Sequence, residues 1–275
     1  MEVLAPALEE PQPVVFSLRR CHFVSAEAIA ILAGMKLLRD QGGLRTEIDT
    51  NTLDPKVKKV LNKSKLLKLF GHPPYPWTDT SLPIYVQRSW SKKDILNYID
   101  QEILRRHEMP EMSKILQKEI RRAFFELFGN VFYHSQSPIG GLVCGQVYPK
   151  AKVKQIQIVF YDAGVGVAKR VREAVPSVRS DNEAIEWALE SGTSTLSNHS
   201  EPRGLGLYVL RRFLDINGGE FRIYANQGVV EEIAGCRRCT RLRYGLKGTL
   251  IEVRIKVTGD VKYILSSEKE EYELQ

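Results

Sequence analysis

Glu126, Asn130 and His134 recur at intervals of four residues, so on a helix a carboxylate, an amide and an imidazole project from nearly one side. Leu116, Ile120, Phe124, Leu127 and Val131 form an apolar stripe beside them, which gives that helix a core to bury against. The amide oxygen of Asn130 suits magnesium, a cation that keeps most of its waters and takes few protein ligands. Glu126, one turn earlier, can orient or deprotonate a water. For this helix taken alone, a solvated polar edge is an equally good account; an amide beside a core, however, needs a partner.

Asp162 follows the alternating apolar residues Ile156, Ile158 and Phe160 and precedes Gly164 and Gly166. A carboxylate at a strand end accepts a hydrogen bond from an exocyclic amine, and glycines let the backbone approach a flat ring. Adenine recognition requires both properties, although a tight turn after an edge strand would also explain D-x-G-x-G. Gly204-Leu205-Gly206 opens a later helix, whose free amides and positive dipole end suit phosphates; glycines also simply admit a loop into a helix. Neither G-x-x-x-x-G-K-[ST] nor G-x-G-x-x-G occurs, which excludes the P-loop and the classical dinucleotide fold. Phosphate would have to be held without a Walker lysine.

The elements that must carry these residues are legible as patterns. Val14 to Leu18 reads as a strand, Ser25 to Asp40 as a helix with Ser25 as its cap and Gly42 and Gly43 at its end, and Arg45 to Asp49 as a second strand. Asp54 to Phe70 reads as one basic amphipathic helix, so the order predicts a small α/β layer with a parallel pair. The proline-rich stretch from Gly71 to Pro83 marks a boundary. Ile84 to Gln87 is a candidate strand and Lys92 to Arg106 a helix, separated by Pro110 from the central one. Strands are expected at Leu142 to Tyr148, Lys152 to Tyr161, Glu220 to Ala225, Val229 to Ile233 and Gly248 to Val257. Helices are expected at Val167 to Ala174, Asn182 to Glu190 and Leu207 to Ile216, and the small polar residues from Ser191 to Gly204 have the composition of a lid.

At 275 residues with 43% hydrophobic content, the chain has room for about two domains with real cores. No apolar run reaches membrane-spanning length, and the start, MEVLAPALEE, lacks the basic residues of a secretory signal, so a cytoplasmic location is expected. Of the four cysteines, only Cys236 and Cys239 form a C-x-x-C pair. A zinc site needs a second ligand pair, and none lies nearby, so two thiols in a surface hairpin is the simpler account. The net charge of +7 is moderate. Lysines cluster from Lys56 to Lys68 and arginines from Arg237 to Arg243, but the lysine run has no interleaved aromatic residues to stack bases, so nucleic acid is a secondary alternative.

In chain order, E-x-x-x-N-x-x-x-H on a helix, D-x-G-x-G after a strand, G-x-G-L opening a helix and Gly248-Thr249 entering a last strand resemble the GHKL ATP-binding fold. That superfamily includes gyrase-type, chaperone and mismatch-repair ATPases, histidine kinases and anti-sigma serine kinases. The resemblance runs from about Met112 to Val257. It implies an α/β sandwich with a mixed sheet, ATP and Mg2+ as cofactors, Glu126 as general base and Asn130 as the magnesium ligand. It also implies that Asp162 takes the adenine amino group with Thr249 helping through a water, that Gly164 and Gly166 flank the base, and that Gly204, Leu205 and Gly206 line the phosphates. His134 matches the anti-sigma kinase spacing, and a packed histidine is the favoured account of it. The N-terminal part is similar to a STAS domain, with the phosphoacceptor position falling on Ala26 and Ser25 one residue away.

The expected organisation is therefore a small, STAS-like α/β domain over residues 1–83, a linking strand and helix over 84–111, the ATP-binding domain over 112–260 and a charged tail over 261–275. The expected function is slow Mg-dependent ATP hydrolysis or phosphotransfer coupled through the lid to a protein partner. The alternatives are an ATP-gated binding module of anti-sigma type without turnover and a nucleic-acid-binding regulator; a homodimer is a further option. A sensor histidine kinase fits poorly, because His107 is the sole candidate acceptor and Pro110 interrupts its helix.

Overall fold

The computed structural model describes residues 10–74, 80–130, 135–190, 205–259 and 261–268. Val131, His134, Gly204 and the expected lid lie outside them, as do the side chain of Leu205 and residues 269–275 of the tail.

At the centre is a five-stranded sheet of β3 (Ser81–Gln87), β5 (Gly141–Tyr148), β6 (Gln155–Asp162), β8 (Cys236–Lys256) and β7 (Glu220–Ile233), in that spatial order. Every pairing within it is antiparallel, which corrects the expected mixed sheet. The cause is where the last hairpin lands. Strands β6 and β7 run in the same direction, but β8 folds back from β7 and takes the place between them, so the two never pair. Separate parallel pairs form between β1 (Val14–Phe16) and β2 (Thr46–Ile48), as the strand, helix, strand order requires, and between β4 (Glu111–Met112) and β9 (Lys262–Tyr263).

Period-two alternation gives the sheet two apolar faces. Ile156, Ile158, Phe160, Val253 and Ile255 enter one core with Phe124, Leu127 and Phe128 of α5 (Lys114–Asn130). The same core takes residues of α6 (Val167–Ala174), α7 (Asp181–Leu189) and α8 (Leu205–Asn217). Phe124 stacks on Phe160 at 5.9 Å and Phe128 meets the same ring edge-on at 5.4 Å, so the helix expected to carry the chemistry is held flat against the strand that ends in Asp162.

Val159, Tyr161, Cys144 and Leu250 point the other way, into a second core shared with α1 (Ala26–Gln41), α2 (Pro55–Lys63) and α3 (Leu66–Leu69). Helix α1 lies close because Gly34 faces the Tyr161 ring; a β-carbon there would come within 2.2 Å of it. The N-terminal elements thus share their core with the sheet. At the far end of this face the apolar residues give way to a buried polar network. Glu252, fully buried, accepts from Gln157 Nε2 at 2.7 Å and pairs with Arg222 at 3.2 Å and with Arg254. Arg254 also reaches Glu27 of α1 at 3.2 Å.

Local differences have local causes. The single helix expected from Asp54 to Phe70 breaks at Lys65, which is left-handed at φ 64°, while buried Ser64 gives its carbonyl to Ile84 N–H. Pro83 lies inside β3, where a missing donor is tolerated because β3 is an edge strand with a register shift between Leu82 and Tyr85. The expected break between Ala225 and Val229 is a bulge within one long strand. Helix α4 (Lys92–Tyr98) is capped by Ser91 and continues into a π-helical turn, Ile99–Leu104.

Candidate functional site

Strands β6 and β8 bring two of the sequence motifs face to face. Asp162 and Thr249 are cross-strand partners. Gly164 N–H donates to Asp162 Oδ1 at 2.9 Å. The Thr249 hydroxyl accepts from Val167 N–H at 2.9 Å, so the residue opposite Asp162 is tied to the first turn of α6. Asp162 is only 6% exposed. Burial pushes its carboxyl up to about 7, against the pull of the hydrogen bond from Gly164 and of the neighbouring Thr249. A carboxyl with that value, at the end of the sheet's central strand, switches between donating and accepting near neutrality.

The glycines around it are close-approach positions. A β-carbon on Gly164 would stand 1.8 Å from the Ser135 carbonyl oxygen. Gly166 is left-handed at φ 83° and faces Asn226 Oδ1 and the Gly248 carbonyl, at 2.7 and 2.9 Å from where its β-carbon would be. Asn226, itself left-handed at φ 53°, donates from Nδ2 to the Val165 carbonyl and accepts Lys169 N–H at Oδ1. Neither Ser135 nor Asn226 was singled out from sequence. The only available signal for Asn226 was its place in an Asn-Gln-Gly turn pattern.

Glu126 and Gly206 form the second group. Helices α5 and α8 cross so closely that a β-carbon on Gly206 would lie 3.0 Å from the Ala123 backbone and 3.0 Å from Glu126 Oε2. The Glu126 carboxylate is engaged by Arg122 Nε at 3.2 Å, one turn earlier on α5. Asn130, on α5, is exposed, and its side chain has no hydrogen-bond partner among the described residues. Past α5, the chain reaches the Asp162 turn: Val165 N–H donates to the Ser135 carbonyl at 2.8 Å and Ala163 N–H to the Ser137 hydroxyl at 3.2 Å. Asp162, Gly164, Gly166 and Thr249 are thus in one constellation and Glu126 with Gly206 in another. Among the described residues, no contact links the Asp162 carboxyl to Glu126 or Asn130.

The donor set is compatible with magnesium. An exposed amide oxygen at Asn130 with the Arg122-paired Glu126 carboxylate one turn away suits a cation that takes one or two protein ligands, and among the described residues no group of three or more His, Cys, Asp or Glu could hold a metal in a protein cage. Cys236 and Cys239 are both exposed and three residues apart on one strand, so their side chains leave opposite faces and do not form a ligand pair. Among the described residues, no helix is long and apolar enough to cross a membrane. No protein-family model matches this chain, and no curated protein matches it either.

Proposed function

We propose that the chain binds ATP with magnesium and turns it over slowly, by hydrolysis or phosphoryl transfer, in a pocket of GHKL type, and that nucleotide state is relayed to a protein partner. The observation that carries this reading is the cross-strand pairing of Asp162 with Thr249, two residues from motifs remote in sequence that the resemblance assigns to one adenine contact. The ionised Asp162 accepts the exocyclic amine, Gly164 and Gly166 leave room for the ring, and the first turn of α8 offers amides to phosphate oxygens. Asn130 would hold the metal, and Glu126 orients the attacking water and takes its proton. Magnesium, when bound, supplies neutralisation of charge on the β- and γ-phosphates.

The test is calorimetric titration of the full chain with ATP and magnesium, for wild type and Asp162→Ala. Loss of binding in a folded variant supports the pocket; equal binding by both removes it. A second reading, ATP-gated partner binding without turnover, draws on the Arg122 ion pair, which occupies the carboxylate that catalysis would use. Phosphate release measured over hours separates the two.

A further inference from the structure

We propose that a cleft between the start of α7 and the bulge of β7 is a second anion site, one that takes a phosphoryl group carried as a tetrahedral dianion. This inference does not rest on the nucleotide reading, since it uses none of its residues. The cleft is open to solvent, has a volume of about 300 Å³ and is lined by the exposed Arg172 from α6, Arg179 from the α6–α7 loop and Arg241 from β8, together with Asp181, Asn182 and Gln227. That volume is at the lower end of the range for small-ligand sites, about 300–1,000 Å³.

Its walls are fastened to one another. Asp181 Oδ2 accepts from Gln227 N–H and Asn182 Oδ1 from Val229 N–H, each at 2.9 Å, so two side chains of α7's first turn pin both sides of the bulge. Gly228, between them, has no room for a side chain: a β-carbon would stand 2.9 Å from Asp181. Arg241, the cross-strand partner of Gly228, is aimed by a bond from its Nε to Gln227 Oε1 at 3.1 Å. Arg172 is aimed by Asp181 at 3.0 Å. The guanidinium of Arg179 has neither a hydrogen bond nor a salt bridge among the described residues, and Glu183, in the first turn of α7, turns its carboxylate onto the backbone N–H groups of Arg179 and Ser180.

Charge selects the ligand class. Three guanidinium groups against one carboxylate leave the lining with an excess of two positive charges. A phosphomonoester carries about −1.5 to −2 at pH 7, whereas a single carboxylate would leave one guanidinium uncompensated. Guanidinium forks also match the paired oxygens of a phosphoryl group. Two sources share this chemistry, free orthophosphate and a phosphorylated side chain of a protein.

The full chain would be titrated in about 0.1 M salt with inorganic phosphate, with a phosphoserine peptide and with the same peptide unphosphorylated. Wild type, Arg179→Gln, Arg241→Gln and Arg238→Gln would be compared, with circular dichroism to verify folding. Arg238 is exposed and lies outside the cleft. The expected result is binding of phosphate, the phosphopeptide or both by wild type, weakened about tenfold in R179Q and R241Q and unchanged in R238Q. Tighter binding of the phosphopeptide than of phosphate assigns the site to a phosphorylated partner; equal binding assigns it to the free anion. Three results would overturn the proposal: no binding of either probe by folded wild type, equal binding by R179Q, R241Q and wild type, or equal losses in R238Q. Tighter binding of a single-stranded oligonucleotide, with a steep salt slope, would also overturn it, because it would replace a discrete site by a basic face.

Discussion

Gly164 and Ser135 meet backbone to backbone, with the Ser135 carbonyl oxygen where a side chain on Gly164 would begin. The contact joins the chain that leaves α5 to the turn that carries Asp162, and Val165 N–H donates to the same carbonyl. Gly164→Ala is expected to cost about 1–3 kcal/mol of stability as the two backbones separate and to weaken ATP binding. Thermal unfolding followed by ATP calorimetry checks this; an unchanged midpoint would mean that the Ser135 segment yields freely.

Asp162 makes stability depend on pH in a defined direction. Burial raises its folded value to about 7 from the ordinary 3.8, so the native chain retains a proton that the unfolded chain has released across that interval. Its contribution is therefore present below the lower value and is lost as pH rises through the upper one. Asp162→Asn should flatten this slope, with its unfolding midpoint gaining on wild type as pH is raised across the interval. Because the ionised form is the acceptor for an amine, ATP affinity should fall by about tenfold per pH unit below the folded value. Affinity rising toward acid pH would contradict the assigned contact.

Glu126→Gln preserves shape and removes the base. Turnover is expected to drop by about 10²–10⁴, with ATP affinity within about threefold of wild type. Single-turnover phosphate release and calorimetry on the same preparations read both quantities. Equal phosphate release by variant and wild type would leave the non-catalytic reading in place.

Arg222 holds three carboxylates at the polar end of the second sheet face: Glu220 at 2.6 Å, Glu231 at 2.7 Å and Glu252 at 3.2 Å. Its removal leaves the buried carboxylates with Arg254 as their remaining cation, so Arg222→Ala should destabilise by roughly 3 kcal/mol. Adding Glu252→Gln should recover part of that loss, since Glu252 carries the deepest charge, and a chemical denaturation cycle on the four proteins measures the coupling.

Thiol labelling offers a separate check of the fold. Cys236 and Cys239 are exposed, whereas Cys144 is buried in the second core, where burial pushes its thiol far above the usual range. A disulfide reagent should modify Cys236 fastest and Cys239 more slowly, its thiol being raised by partial burial and by Glu186. Cys144 should react only on unfolding, and its prompt modification would mean that α1 does not cover the sheet.

Much of the local structure was legible from neighbouring residues. The apolar stripe defined α5, alternation defined β6, and paired glycines after α1 marked its end, because periodicity and turn chemistry act over a few residues. The Asp162, Gly164 and Gly166 turn and the helix that holds Gly206 were found for the same reason. The tertiary structure alone decided what lies opposite each of these. It inserted β8 between β6 and β7, closed α1 over Tyr161 through Gly34, set Asn226 against the Gly166 turn, and brought Arg172 and Arg241 to one cleft. Those relations depend on pairing and packing between segments tens of residues apart, where each partner's side chain is an ordinary choice for its own strand or helix. Local pattern therefore determined which residues could do chemistry, and long-range register determined which of them meet.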